Sequence, residues 1–148
     1  MWMYRKDLLL EDHGIIVHGV NAQGKFNSGF AKQVRQRYPQ VYADYMAAYA
    51  AGHLQLGRVI YTPITPHLVV ASGVTQHFYG RDPDVVYADY TAIARVFTDV
   101  RYKALDARLP VKFPEVGCGL ANGDWRQVKL IIEAALGEDV LGILYRPQ

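Results

Sequence analysis

Apolar residues in this chain fall into two kinds of run. Short unbroken runs read as strands, and longer stretches with apolar positions three and four apart read as helices. His13 to Val20 is nearly all apolar, which predicts a central strand buried on both faces. Trp2 to Leu10 reads as a strand with a charged interruption at Arg5-Lys6-Asp7. Arg58 to Thr62, His67 to Val74, Val111 to Val116 and Asp139 to Tyr145 complete the strands, with Pro63 and Pro66 marking a turn. A helix is predicted from Gly29 or Phe30, with Phe30, Ala31, Val34 and Tyr38 on one face, until Pro39 interrupts it. Tyr42 to Ala51 is a second helix, stopped by Gly52. Val86 to about Ala107 is a third. Asp124 reads as the N-cap of a fourth, whose buried face is Val128, Ile131, Ile132 and Ala135.

Strands alternate with helices, which predicts a single α/β domain with a mixed central sheet and helices on both faces. Ligands of such sheets sit at the carboxyl ends of the strands. Two glycine-rich loops, "NAQGKFNSGF" and "GCGLANGD", each follow a strand and precede a helix. Both are therefore expected on one rim, where their backbone N–H groups are able to clamp a diphosphate.

Composition narrows the classes. The chain has 148 residues, 51% of them hydrophobic and 20% charged, so one globular domain is expected. A net charge of +2 gives no strong argument for nucleic acid or membrane, and neither is expected as a partner. The single cysteine, Cys118, excludes a disulfide framework and is read as a small packing residue. No apolar run has transmembrane length, the first residues do not read as a signal peptide, and a cytoplasmic location is expected. No G-x-G-x-x-G, P-loop, G-x-S-x-G or H-E-x-x-H pattern is present. Asn21 and Gln23 add amides to the first loop, which suit sugar hydroxyls.

Taken together, several stretches resemble the macro domain, the ADP-ribose-binding α/β module, over nearly the whole chain. "RKDLLL" is similar to its Lys-Gly-Asp-Ile/Leu start, and "IIVHGVNAQG" to its strand ending in Asn. "NSGFAKQV" is similar to its Gly-Gly-Gly loop and helix, "PEVGCGLANGDW" to its second glycine loop, and "ILYRP" to its last strand. "HGVNAQGKF" and "TQHFYGRD" resemble the branch of the ADP-ribose 1″-phosphate phosphatases and their small bacterial and phage relatives. The resemblance implies a three-layer α/β/α fold.

It also implies a ligand set. Asp7 would accept the adenine amine and Leu8 would offer its N–H to the ring. Asn21 would bond the distal ribose, while Ser28, Gly29 and Phe30 cup the distal phosphate and ribose. Gly117, Gly119, Leu120 and Ala121 would cup the diphosphate from the other side. Tyr145 stands where many macro domains stack an aromatic on adenine, and Phe26 and Phe78 are candidate walls of the distal ribose. His18, three residues before Asn21, is the candidate catalytic base or nucleophile, with Asn21 positioning the ribose. His77 is a candidate assistant on the same rim. No cofactor or metal is required.

Lysine-dependent ADP-ribosyl hydrolases of this family carry a Lys after the fourth core strand and an Asp in the second glycine loop. Here those positions are Gln76 and Ala121. The function expected is therefore binding of ADP-ribose with hydrolysis of ADP-ribose 1″-phosphate. The alternatives are a non-catalytic ADP-ribose reader and a hydrolase that removes ADP-ribose from proteins or nucleic acid. The expected partners are ADP-ribose, its derivatives or an ADP-ribosylated macromolecule. A nucleic-acid binder using the basic run Lys32 to Arg37 is a weaker reading, because no aromatic pattern accompanies it.

Overall fold

A computed structural model describes residues 1–148. Six strands form one sheet: β1 (Trp2–Arg5), β2 (Gly14–Asn21), β3 (Val59–Thr65), β4 (Leu68–Gln76), β5 (Val111–Phe113) and β6 (Gly142–Arg146). Their order is β1-β6-β5-β2-β4-β3. All neighbours pair parallel except β3 and β4, so the sheet is mixed. Four helices, α1 (Gly29–Arg37), α2 (Pro39–Ala50), α3 (Tyr90–Ala107) and α4 (Trp125–Leu136), cover it. No helix is long and apolar enough to cross a membrane.

The period-two alternation of β2 explains the three layers. Ile15 and Val17 join one core with α3 residues such as Ile93 and Phe97 and α4 residues such as Val128 and Ile132. Ile16 and Val20 join the other, with Val34 of α1 and Val41 and Tyr45 of α2. Both faces of β2 are thus buried, as its apolar run predicts.

Several boundaries differ from expectation. β1 stops at Arg5, and Leu8–Leu10 form a turn of 3₁₀ helix instead of continuing the strand. Three successive leucines carry no alternation, and the Asp7 carboxylate accepts the Leu9 N–H at 3.0 Å, which caps the turn. The third helix begins at Tyr90, not Val86, because Asp89 caps it by accepting the Ala92 N–H at 2.8 Å. Pro39 ends α1 and is also the first residue of α2, where a missing N–H costs nothing. Pro63 lies inside β3, which is tolerated because β3 is an edge strand. Asp124 caps α4 as expected, accepting the Arg126 N–H at 3.0 Å. Between β2 and β4 the register slips: Val20 pairs with Val74 and Asn21 with Gln76, which leaves Thr75 as an extra residue.

Candidate functional site

β5, β2 and β4 are adjacent and parallel, so the segments that leave their carboxyl ends share a rim. Loop one (22–28) follows β2, loop two (114–124) follows β5, and loop three (77–89) follows β4. Between them lies a cleft of about 410 Å³. His18, Asn21, Ser28, Gly29 and Phe30 line it on one side, and Gly117, Gly119, Leu120 and Ala121 on the other. Phe26 contributes as well. Asp7, Leu8 and Tyr145, expected at the adenine end, do not line it.

Loop one is shaped by the amide of Asn21. Its Oδ1 accepts the Gln23 N–H at 2.9 Å, and its Nδ2 donates to the Lys25 carbonyl at 2.8 Å. The Tyr45 hydroxyl accepts the Gly24 N–H at 3.1 Å. Asn21 is therefore a loop former as well as a lining residue, the role an Asn at a strand end takes most readily. At the start of α1, Ser28 makes no side-chain cap, so the first N–H groups of the helix are not capped by it. Gly29 sits at φ +59°, and a Cβ there would meet nothing within 4 Å. The backbone is left open to a ligand, in a conformation that favours glycine.

Loop two is closed on itself. The Gly123 N–H donates to the Gly117 carbonyl at 2.8 Å, and Gly117 takes φ +76°. Gly119, like Gly29, has open space where a Cβ would stand. The Cys118 thiol is half-buried, bonds the Val116 carbonyl and is pushed up to about 11 by burial, which fits packing rather than nucleophilic chemistry.

Loop three forms a third wall through Tyr79, Gly80 and Arg81. It is tied to both other loops. Gln23 of loop one donates to the His77 carbonyl at 3.0 Å. Asn122 of loop two donates to the carbonyls of Asp82 at 2.9 Å and Val85 at 2.7 Å. Within the wall, Gln76 Nε2 donates to the Phe78 carbonyl at 2.8 Å, and the Tyr87 hydroxyl fills the space a Cβ on Gly80 would need. Sequence reasoning placed His77 on this rim but did not find Tyr79, Arg81, Lys25 or Thr75 as lining residues. The signal was the polar segment after a central parallel strand.

The floor is polar but weakly basic. His18 is 1% exposed, its Nε2 lies 2.8 Å from Ser72 Oγ, and its ring meets Phe26 edge-on. Burial lowers its pKa to about 3, so the imidazole is neutral at pH 7. Its Nδ1 and the hydroxyl of the fully buried Thr75 have no partner. Lys25, Arg81 and Glu115 are the charged lining residues. Glu115 is held by Arg146, with Nη2 at 2.6 Å, whereas neither Lys25 nor Arg81 is paired with a carboxylate. The cleft thus offers two free cations, open backbone at two glycines and no free carboxylate. That set fits a polyphosphorylated sugar. No group of three or more His, Cys, Asp and Glu is arranged to hold a metal ion.

Tyr145 corrects the expectation of a stacking face. It is 3% exposed, its hydroxyl donates to Glu11 Oε1, and Tyr4 packs edge-on against its ring. A ligand finds no free face there. Asp7 is exposed, and Leu8 is buried in the 3₁₀ turn after β1, in the same core as Ile16 and Val20 of β2. His77 is exposed, and it packs against Phe78 outside the cleft lining.

No family model matches the chain. Two curated relatives, both named DNA ADP-ribosyl glycohydrolase, from Mycobacterium tuberculosis and Mycobacterium bovis, are 26% identical over 150 residues. The match covers 95% of this chain and 40% of theirs, so the chain spans about two-fifths of the relatives' length. A macrodomain protein from Streptomyces coelicolor superposes with a TM-score of 0.83 at 27% identity, covering 99% of both chains. Thermosipho africanus DarTG, solved in complex with ADP-ribose, superposes with a TM-score of 0.80 at 16% identity over 98% of this chain and 41% of that one.

Proposed function

We propose that this chain, a macrodomain by its α/β fold, binds an ADP-ribose group in the cleft and hydrolyses the bond that joins C1″ of its distal ribose to a nucleic-acid base. The observation that carries the reading is the pairing of open backbone at Gly29 and Gly119 with the unpaired Lys25 and Arg81 around one cleft. The loop amides meet the diphosphate, Asn21 lies at the distal ribose, and the cations offset the ligand's charge. Asp7, exposed and outside the cleft lining, is assigned to the adenine end on the family resemblance alone. The similarity to proteins named DNA ADP-ribosyl glycohydrolase supports the leaving group.

The chemistry suits a cleft without a strong base. Water oxygen bonds to C1″, the C1″–N bond breaks with its electrons going to the base, and the water's proton ends on that nitrogen. Atoms and charge balance with no proton held by the protein. A neutral His18, with its pKa near 3, and a Glu115 committed to Arg146 are therefore sufficient surroundings. Amides aimed at developing charge supply the stabilisation, where one such donor is worth about 3 to 4 kcal/mol.

Hydrolysis of ADP-ribose 1″-phosphate is the second reading. The presence of His18 in the cleft, with Ser72 on Nε2 and Nδ1 unpartnered, favours it. Here water would bond to phosphorus and the 1″ oxygen would leave with the proton. Its weakness is the lowered basicity of His18.

Calorimetric titration with ADP-ribose tests the site, with Asp7→Ala expected to weaken binding about tenfold for a charged hydrogen bond. Incubation with a base-linked ADP-ribosyl oligonucleotide and with ADP-ribose 1″-phosphate then separates the reactions. Release from the first alone supports the proposal, and release from the second alone supports the phosphatase reading. Binding without either makes the chain a reader of ADP-ribose. No binding at millimolar ligand overturns the site.

A further inference from the structure

Loop three presents two large aromatic side chains in succession at the mouth of the cleft. Phe78 is 62% exposed and Tyr79 is 53% exposed, although 35 hydrophobic residues of this chain are buried. Tyr79 lines the cleft and Phe78 stands just outside its lining. The ring of His77 meets Phe78 edge-on, with centroids 4.5 Å apart, and so fixes its orientation from one side. The backbone beneath is held by Gln23, Gln76 and Asn122. The backbone that carries the two rings is therefore held, which lowers the entropy cost of ordering them on a ligand. Arg81 and Lys25, both without a carboxylate partner, flank them on the same cleft. The neighbouring Asp82 carboxylate turns back to accept the Asp84 N–H at 2.9 Å.

We infer that Phe78 and Tyr79 are a stacking platform for the unpaired bases of a single-stranded nucleic acid that carries the ADP-ribose, whose own diphosphate Lys25 and Arg81 meet. The inference rests on the reading of the cleft as an ADP-ribose site. Bases stack on exposed aromatics irrespective of sequence. A duplex keeps its bases stacked on one another, so the platform selects a single strand. A peptide partner would want a joined apolar groove or a free strand edge, and this surface offers two separate rings between cations.

The test is stopped-flow binding, read before turnover, with four probes: free ADP-ribose, a single-stranded deoxyoligonucleotide with one base-linked ADP-ribose, its annealed duplex, and a peptide with ADP-ribose on a glutamate. Wild type is expected to hold the single strand about tenfold or more tightly than free ADP-ribose, given the worth of one stacked base. Phe78→Ala is expected to remove most of that gain while the affinity for free ADP-ribose stays unchanged, and Phe78→Trp is expected to restore it. Equal affinity of wild type for the strand and free ADP-ribose overturns the platform and leaves the cleft reading intact. An equal loss on the peptide in Phe78→Ala also overturns it, in favour of a protein surface. Failure of wild type to bind free ADP-ribose overturns the cleft reading and the platform with it.

Discussion

The Tyr45 hydroxyl donates to the Asn21 carbonyl at 2.6 Å, which ties α2 to the last residue of β2. The same oxygen accepts the Gly24 N–H, so one buried phenol organises both ends of the turn that shapes loop one. Burial raises its pKa to about 12, and it stays a donor at every physiological pH.

Tyr45→Phe removes that donor and leaves the Asn21 carbonyl and the Gly24 N–H without it. A loss of about 1 to 3 kcal/mol in stability follows from unsatisfied buried groups. Urea denaturation reads the stability, and calorimetry is expected to show ADP-ribose binding weakened several-fold. Unchanged binding in a destabilised variant would show that loop one keeps its shape without the phenol.

His18 gives a pH dependence of defined sign. Its folded pKa of about 3 lies below the ordinary 6.5, so the unfolded chain takes up the proton first as pH falls. The stability held by the neutral ring is present above about 6.5 and is lost between there and about 3, at roughly 1.4 kcal/mol per pH unit. Urea melts from pH 7 to pH 4 should show wild type losing stability faster than His18→Gln. The pH–rate profile is expected to carry no limb near 6.5 from this residue. A limb there that vanishes in His18→Gln would mean that the ring ionises in the ligand-bound cleft.

On the proposed reading, Lys25 and Arg81 act as free charges on the ligand. Replacing both with Ala is expected to weaken ADP-ribose binding by about tenfold or more at low salt, with the effect shrinking as screening increases. Calorimetry at two ionic strengths separates this from loss of fold, which circular dichroism monitors.

Gly29 and Gly119 should respond differently to the same change. Neither has a neighbour that an added methyl would strike, but Gly29 alone takes a positive φ. Gly29→Ala is expected to cost about 1 to 2 kcal/mol in stability from backbone strain, and Gly119→Ala almost none. Thermal melts of the two variants check the contrast.

The fold was legible where local chemistry decided it. The unbroken apolar run of β2 announced a strand with two buried faces, and Asp124 announced the start of α4 by its type and place. The two glycine loops reached a common rim because strand alternation requires it. Tyr145 was illegible for the opposite reason. Whether a tyrosine at a strand end shows its face or its edge is set by Glu11, which lies 134 positions earlier in the chain. The 3₁₀ turn hid for a related reason, since one carboxylate at Asp7 outweighed a run of leucines. Composition was silent on the charge of the cleft. A net charge of +2 averages away Lys25 and Arg81, which only the folding of loops one and three brings to one cleft.

The three walls of the cleft bond to one another through Gln23 and Asn122, side chains that reach carbonyls on loop three. For the history of the protein this means epistasis. A substitution in loop three is felt by loops one and two through these shared bonds, so changes that each do little alone will combine unpredictably from their separate effects. New specificity would then be reached more readily at Phe78, whose side chain stands clear of the ties, than at the residues that make them.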